Sequence, residues 1–107
     1  MFVVLSTVPV DAESRISEAL VRRGLAACVN AIPGVVSTYV WQGQLCRESE
    51  VTLLIKVAAA GVGPLTDALR ELHPYQVPEI LVLPVDIAGS DARYVAWVRA
   101  AAPLVGG

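Results

Sequence analysis

Imidazole and thiol groups are the side chains that bind transition metals best, and this sequence contains few of them. The chain has 107 residues, with one histidine, His73, and two cysteines, Cys28 and Cys46. Imidazole suits copper, zinc and nickel, and thiolate suits copper(I). One imidazole alone does not hold copper tightly, because strong sites need several ligands. The alternative for His73, which precedes a proline, is that it ends a helix and bonds the last carbonyl groups.

The two cysteines are predicted to lie far apart. No CxxC pair is present, so a closed zinc site is not expected. In a hairpin centred on Gly43, Cys46 would lie opposite Val40 and Cys28 opposite Ala58, about 40 Å apart along the strands. We therefore expect no disulfide and no shared metal within one chain. Cys28 is either a metal ligand or a small buried residue.

Charged side chains on two neighbouring predicted strands form a second candidate site. Glu50 and Lys56 share one face of a strand, and Asn30 is expected near Lys56 on the adjacent strand. Lys56 could contact an anionic ligand in a cleft between subunits. The alternative is a structural ion pair, with Glu79 as the partner.

Three aromatic residues could line the same cleft. Tyr39 and Trp41 occupy alternating positions of one strand and therefore face the same way, and Tyr75 follows a predicted helix. Aromatic rings with a polar tip favour interfaces, so these residues either line a pocket or pack between subunits. Glu79 follows a proline at a strand start, where its carboxylate could bind a cation or accept backbone hydrogen bonds.

These residues are positioned by a predicted β-α-β-β-α-β order, which is typical of the ferredoxin-like α+β fold, with an extra C-terminal helix. The first helix should have Asp11 as its N-cap and end at Gly24. A long hairpin turns at Gly43, and Pro33-Gly34 should form a bulge in its first strand. The predicted strands are 2–7, 25–41, 50–58 and 79–85, and the predicted helices are 11–24, 63–73 and 90–101.

The composition predicts self-assembly. The hydrophobic fraction is 55% and the mean hydropathy is +0.61, whereas about 45–50% apolar is usual for soluble domains. The first and last strands are apolar on both faces, so the sheet face without the two main helices would expose a large apolar patch. We expect another subunit to bury this open face. The alternative is that the last helix covers part of it.

Several classes of function are not expected. The net charge is −2 and no basic run occurs, which disfavours nucleic-acid binding. No apolar run approaches the roughly 20 residues that a membrane-spanning helix needs, and no targeting segment is recognised, so we expect a cytoplasmic protein. The sequence contains no phosphate loop, dinucleotide fingerprint, nucleophile elbow or HExxH motif, and no enzymatic activity is expected.

The chain resembles the CutA family of divalent-cation tolerance proteins from Leu5 to about Trp97. The residues that support the resemblance are 19–21, 25–30, Pro33-Gly34, Ser37, Tyr39, Trp41, Gly43, Glu50, Lys56, His73-Pro74-Tyr75, Pro78-Glu79-Ile80 and Pro84. The resemblance implies a homotrimer similar in architecture to PII signalling proteins. It also implies a role in tolerance to divalent cations, copper above all, and no established reaction.

The sequence departs from the family pattern at the metal site. Ser6 stands where some copper-binding members have a thiol, and Leu72 where some have a second histidine. With the resemblance, the metal-ligand candidates are His73, Glu79 and Cys28, for Cu2+ or another divalent cation. Three functions follow as hypotheses: a trimeric metal-response protein with weak copper binding, a PII-like module for a small anionic ligand, and a scaffold for a partner protein.

Overall fold

A four-stranded antiparallel sheet organises the chain in the computed structural model, which describes residues 1–104. The strand order is β2-β3-β1-β4, as the ferredoxin-like prediction requires, and the α+β prediction is confirmed. The elements are β1 (Phe2–Pro9), α1 (Glu13–Arg22), β2 (Cys28–Trp41), β3 (Gln44–Val57), α2 (Val62–Leu72), β4 (Leu81–Pro84) and α3 (Ala92–Arg99).

The hydrophobic core lies between one face of the sheet and the helices α1 and α2. Alternate residues of β1 and β3 point into it because strand side chains alternate between faces. The helices contribute side chains at helical spacing. The buried core includes Val4, Val8, Ile16, Leu20, Leu53, Ile55, Leu65 and Leu69.

The first helix ends as predicted but begins differently. Gly24 has φ +69°, which suits the glycine that follows a helix C-terminus. The predicted N-cap at Asp11 is wrong. Residues Val10–Ala12 first form a 3-10 turn, so α1 begins after Ala12, without a side-chain cap. The turn after β1 therefore separates the Asp11 carboxylate from the first turn of the α-helix.

The long hairpin and its bulge are confirmed, but the predicted register is not. Gln42 and Gly43 have φ values of 50° and 78°, as in a two-residue type I′ turn, so Trp41 pairs with Gln44. The register shifts between Ile32 and Val35, where β2 contains one more residue than β3.

Because of this turn and bulge, each cysteine has a different partner from the one predicted. Cys46 lies opposite Tyr39 rather than Val40, and Cys28 opposite Lys56 rather than Ala58. Both cysteines are free, and ten residues of β3 separate their levels, about 33 Å along the strand.

The face of the sheet opposite the core is partly covered by α3. This helix contacts β3 and buries Val95 and Val98, while Tyr94 lies beside Cys28. Its N-cap is Asp91, whose Oδ1 accepts hydrogen bonds from the backbone N–H groups of Arg93 and Tyr94.

The rest of the open face remains accessible at the edge strand β4. This strand is shorter than predicted, and its open-face residues Leu81 and Leu83, which pair with Leu5 and Val3, are 50% and 43% exposed. The alternative that the last helix covers part of the open face is therefore confirmed, and burial of the remainder by another subunit stays a prediction. Within residues 1–104, no helix has the length and apolar character to cross a membrane.

Candidate functional site

A cavity of about 710 Å³ lies between the hairpin of β2 and β3 and the segment that joins α2 to β4. Strand alternation builds one wall, because Ser37, Tyr39 and Trp41 point to the same side of β2. The joining segment builds the other wall. The residues that line the cavity are Thr7, Ser37, Thr38, Tyr39, Trp41, Glu50, Pro74, Tyr75, Gln76, Val77 and Glu79.

A buried carboxylate lies in the wall of this cavity. Glu50 is on β3 and is only 4% exposed, although it is on the face that the sheet turns away from the core. Its Oε2 accepts a hydrogen bond of 2.8 Å from the hydroxyl of Tyr75. Among residues 1–104, Glu50 forms no ion pair. The carboxylate is thus held by one neutral donor.

His73 holds Tyr75 in place. The backbone N–H of Tyr75 donates to Nδ1 of His73 at 3.2 Å, so the ring proton is on Nε2, which donates to the carbonyl of Thr7 at 2.7 Å. The rings of His73 and Tyr75 lie 4.8 Å apart. With 6% exposure and both nitrogens bonded, the imidazole connects β1 to the joining segment.

The helix end predicted at His73 is confirmed, but the bonding partner of its side chain is not. α2 ends at Leu72, and His73 is its C-cap residue. The imidazole reaches β1 instead of the last carbonyls of α2. Arg15 of α1 donates to the carbonyl of Leu72 at 3.2 Å and takes that role.

The phenol of Tyr75 stays protonated over a wide pH range. Burial raises its pKa far above the ordinary value of 10, and its hydrogen bond to the Glu50 carboxylate raises the pKa further. Tyr75 is therefore a lasting hydrogen-bond donor to Glu50.

The three metal-ligand candidates are not brought together within one chain. Glu79 lines the cavity and His73 lies behind Tyr75. Cys28 pairs with Lys56, whereas Thr7, which lines the cavity and bonds His73, pairs with Thr52. Cys28 is therefore about 13 Å from the level of the cavity along β3, at 3.3 Å per residue. In the described part of the chain, no group of three or more His, Cys, Asp or Glu side chains could hold a metal ion.

A closed copper site does not fit this arrangement, since strong copper sites need several nitrogen or sulfur ligands. Both nitrogens of His73 are already hydrogen-bonded. Ser6, where some family members have a thiol, is fully buried on the core face and points away from the cavity. Metal ligation by His73, Glu79 and Cys28 stays a prediction that needs more than one chain.

The structure divides the predicted ligand cleft into two places. Glu50, Tyr39, Trp41 and Tyr75 meet at the cavity. Lys56 lies six residues along β3 from Glu50, about 20 Å away.

At this second place, Nζ of Lys56 is 3.9 Å from Sγ of Cys28, and Asn30 is exposed two residues further along β2. Glu79 lines the distant cavity, so the predicted pair with Lys56 does not form within the chain.

Sequence reasoning missed three contributors to these sites. Thr7 supplies the carbonyl that His73 bonds, and Val77 extends the apolar wall of the cavity. Tyr94 lies beside Cys28, where burial and the thiol raise the pKa of its phenol. A fourth lining residue, Ser37, did carry a signal, since it alternates with Tyr39 and Trp41 on β2. The other contacts join residues far apart in the chain.

Comparison with known proteins gives a consistent result. The family model described as CutA1 divalent ion tolerance protein matches residues 2–101. A divalent-cation tolerance protein CutA from Thermus thermophilus is 45% identical over 98 residues, 91% of this chain and 93% of the relative. The human protein CutA is 44% identical over 84 residues, which cover 78% of this chain and 46% of the human protein.

Solved structures show the same fold. The PII-like protein CutA from Nostoc superposes with a TM-score of 0.89 at 40% identity, covering 92% of this chain and 94% of that one. The Thermus thermophilus divalent cation tolerance protein gives a TM-score of 0.86 at 41% identity, with coverage of 95% and 99%.

Proposed function

Because this chain belongs to the CutA1 family of divalent ion tolerance proteins, we propose that it is a non-catalytic, cytoplasmic homotrimer that acts in the response to divalent metal ions. The observation that carries the proposal is the family match over residues 2–101. The metal is copper or a similar divalent ion, bound weakly at subunit junctions. The resemblance to PII-like proteins motivates the trimer.

The apolar surface left open by the fold supports assembly. Leu81, Val82 and Leu83 of β4 are between 42% and 50% exposed, and Val40 and Leu45 near the hairpin tip are 67% and 74% exposed. Fully burying such a side chain contributes about 1.5–3 kcal/mol. Each half-exposed residue would therefore contribute roughly 1 kcal/mol more stabilisation if another copy of the chain buried it.

The separation of the candidate ligands favours metal binding at a junction over binding within one chain. His73 and Glu79 lie at the cavity, and Cys28 lies near the other end of the sheet. A neighbouring copy could add the missing ligands. Binding through few ligands is weak, which suits a tolerance role better than permanent storage.

A copper titration of the assembled, chelator-stripped protein tests the proposal. Light scattering should give the mass of three chains, and copper uptake should saturate. Glu79→Gln and Cys28→Ser should each weaken uptake, whereas Cys46→Ser, about 33 Å from Cys28 along the strand, serves as the matched thiol control. A stable monomer, or no uptake above background, would contradict the proposal.

A second candidate is a PII-like module that binds a small anionic ligand at Lys56. Lys56 is half-buried and forms no ion pair within residues 1–104, so its charge is free for a ligand. An anionic metabolite should raise the melting temperature of the wild type and not that of Lys56→Ala. A metabolite panel without any such ligand counts against this candidate.

A further inference from the structure

The cavity contains a negative charge that the described chain does not neutralise. Glu50 is 4% exposed, and the phenol of Tyr75 is its one side-chain donor among residues 1–104. Removing a carboxylate from water costs several kcal/mol unless a positive charge or several hydrogen bonds compensate it. A cation that entered the cavity would supply this missing compensation.

The cavity lining is free of competing cations. None of the lining residues within 1–104 is Lys, Arg or His, and Glu79 adds a second carboxylate. Arg47, on the neighbouring part of β3, donates from Nη1 to the Thr38 hydroxyl at 2.9 Å and forms no ion pair with Glu50. The electrostatic field inside the cavity therefore favours positively charged molecules.

Aromatic rings form much of the remaining wall. Tyr39, Trp41 and Tyr75 line the cavity together with Pro74 and Val77. The faces of aromatic rings attract ammonium and guanidinium groups, and tryptophan does so most strongly. These walls also offer apolar surface for the carbon atoms of a ligand.

We propose that this cavity binds an organic cation, an ammonium or guanidinium group on an apolar body, with Glu50 as its counter-ion and Trp41 and Tyr39 against its apolar part. The volume of about 710 Å³ falls within the range of roughly 300–1,000 Å³ that is usual for small-molecule sites. The proposal goes beyond the metal response and does not depend on it.

The lining distinguishes an organic cation from a metal ion. A hard divalent ion requires about six oxygen ligands. The lining offers two carboxylates and four other non-aromatic polar side chains, but Oε2 of Glu50 already accepts from Tyr75 and the Thr38 hydroxyl from Arg47. Among residues 1–104, no group of three or more His, Cys, Asp or Glu side chains could hold a metal ion. An organic cation needs one counter-charge and apolar contact, both of which are present. The cavity therefore fits the organic cation better.

A matched pair of probes tests the charge requirement. Benzylamine, which is an ammonium ion at pH 7, and the neutral benzyl alcohol have nearly the same shape. In calorimetric titrations of the assembled wild-type protein, benzylamine should bind at least tenfold more tightly than benzyl alcohol. Similar affinities for the two probes would overturn the proposal.

Three variants test the residues. Glu50→Gln should weaken benzylamine binding at least tenfold, because the amide removes the charge and keeps the shape. Trp41→Leu should weaken it several-fold through loss of the ring face. Glu71→Gln is the control for the loss of a carboxylate, since Glu71 is exposed on α2 and outside the cavity lining. It should change the affinity less than twofold.

Two outcomes would assign the cavity differently. If Glu50→Gln binds benzylamine like the wild type, the carboxylate is not the counter-ion and the proposal is wrong. If the folded wild type binds no benzylamine and Glu50→Gln also lowers the assembled mass, the missing cation comes from a second copy. Copper uptake by the same samples tests the metal response separately.

Discussion

Replacing His73 separates a structural role from a metal-binding role. In His73→Ala, the carbonyl of Thr7 and the N–H of Tyr75 lose their partners, which lie 2.7 and 3.2 Å from the ring nitrogens. Each buried polar group left without a partner costs about 1–3 kcal/mol. Allowing for water entering the space, we expect the free energy of unfolding to fall by about 2–4 kcal/mol.

The two hydrogen bonds can be tested one at a time. The amide of His73→Asn can replace Nδ1 as the acceptor for Tyr75, and the longer His73→Gln can reach toward Thr7, as Nε2 does. Each should lose about half of the stability that His73→Ala loses, if the two bonds contribute equally. Glu71→Ala, exposed on α2 two residues earlier, is the control and should stay within about 0.5 kcal/mol of the wild type.

Denaturant titrations with a chelator present, at one fixed subunit concentration, measure the effect without metal or assembly contributions. Near-wild-type stability of His73→Ala would refute the structural role derived from the two hydrogen bonds. If such a stable variant also lost copper uptake, the imidazole would be a metal ligand, and the bonds to Thr7 and Tyr75 would be incidental.

Three further predictions concern the phenol, a helix end and the open face. Tyr75→Phe should lower the unfolding free energy by about 1–3 kcal/mol at pH 7. Folding raises the phenol pKa above 10, so the stability of the wild type should fall as the pH rises above 10. This fall should be shallower in Tyr75→Phe, which lacks the phenol. Gly24→Ala should cost at least about 1 kcal/mol in thermal unfolding, since φ is +69° and the added methyl would overlap the backbone of Pro103. Gly63→Ala is the contrasting variant. Its added methyl has open space, so it should stabilise α2 by about 0.5–1 kcal/mol. Leu83→Lys should lower the assembled mass in light scattering, while Val21→Lys on α1 should not, and unchanged mass in both would argue against assembly through β4.

Local patterns were sufficient to predict the element order. Alternating apolar residues in β3 and the 3.6-residue spacing in α1 and α2 depend on neighbours in the chain, so they can be recognised in the sequence. The bulge at Pro33-Gly34 and the helix end at Gly24 were predicted for the same reason. These features depend on the backbone restrictions of proline and glycine.

The register of the hairpin was beyond local reasoning. A turn centred on Gly43 and a turn at Gln42-Gly43 differ by one residue, and the bulge adds another. The turn shifts every pair of the two strands by one residue, and the bulge shifts the pairs from Cys28 to Ile32 by one more. Cys28 therefore lies opposite Lys56 instead of Ala58, with its thiol beside the ammonium group.

The sequence by itself determined which residues could do chemistry and which of them share a strand face: Tyr39 with Trp41, and Glu50 with Lys56. Only the tertiary structure decided that Tyr75 meets Glu50 and that His73 bonds Thr7. The physical reason is the route of the chain between α2 and β4. That segment has no periodic pattern, and its position follows from packing against a strand 66 residues earlier.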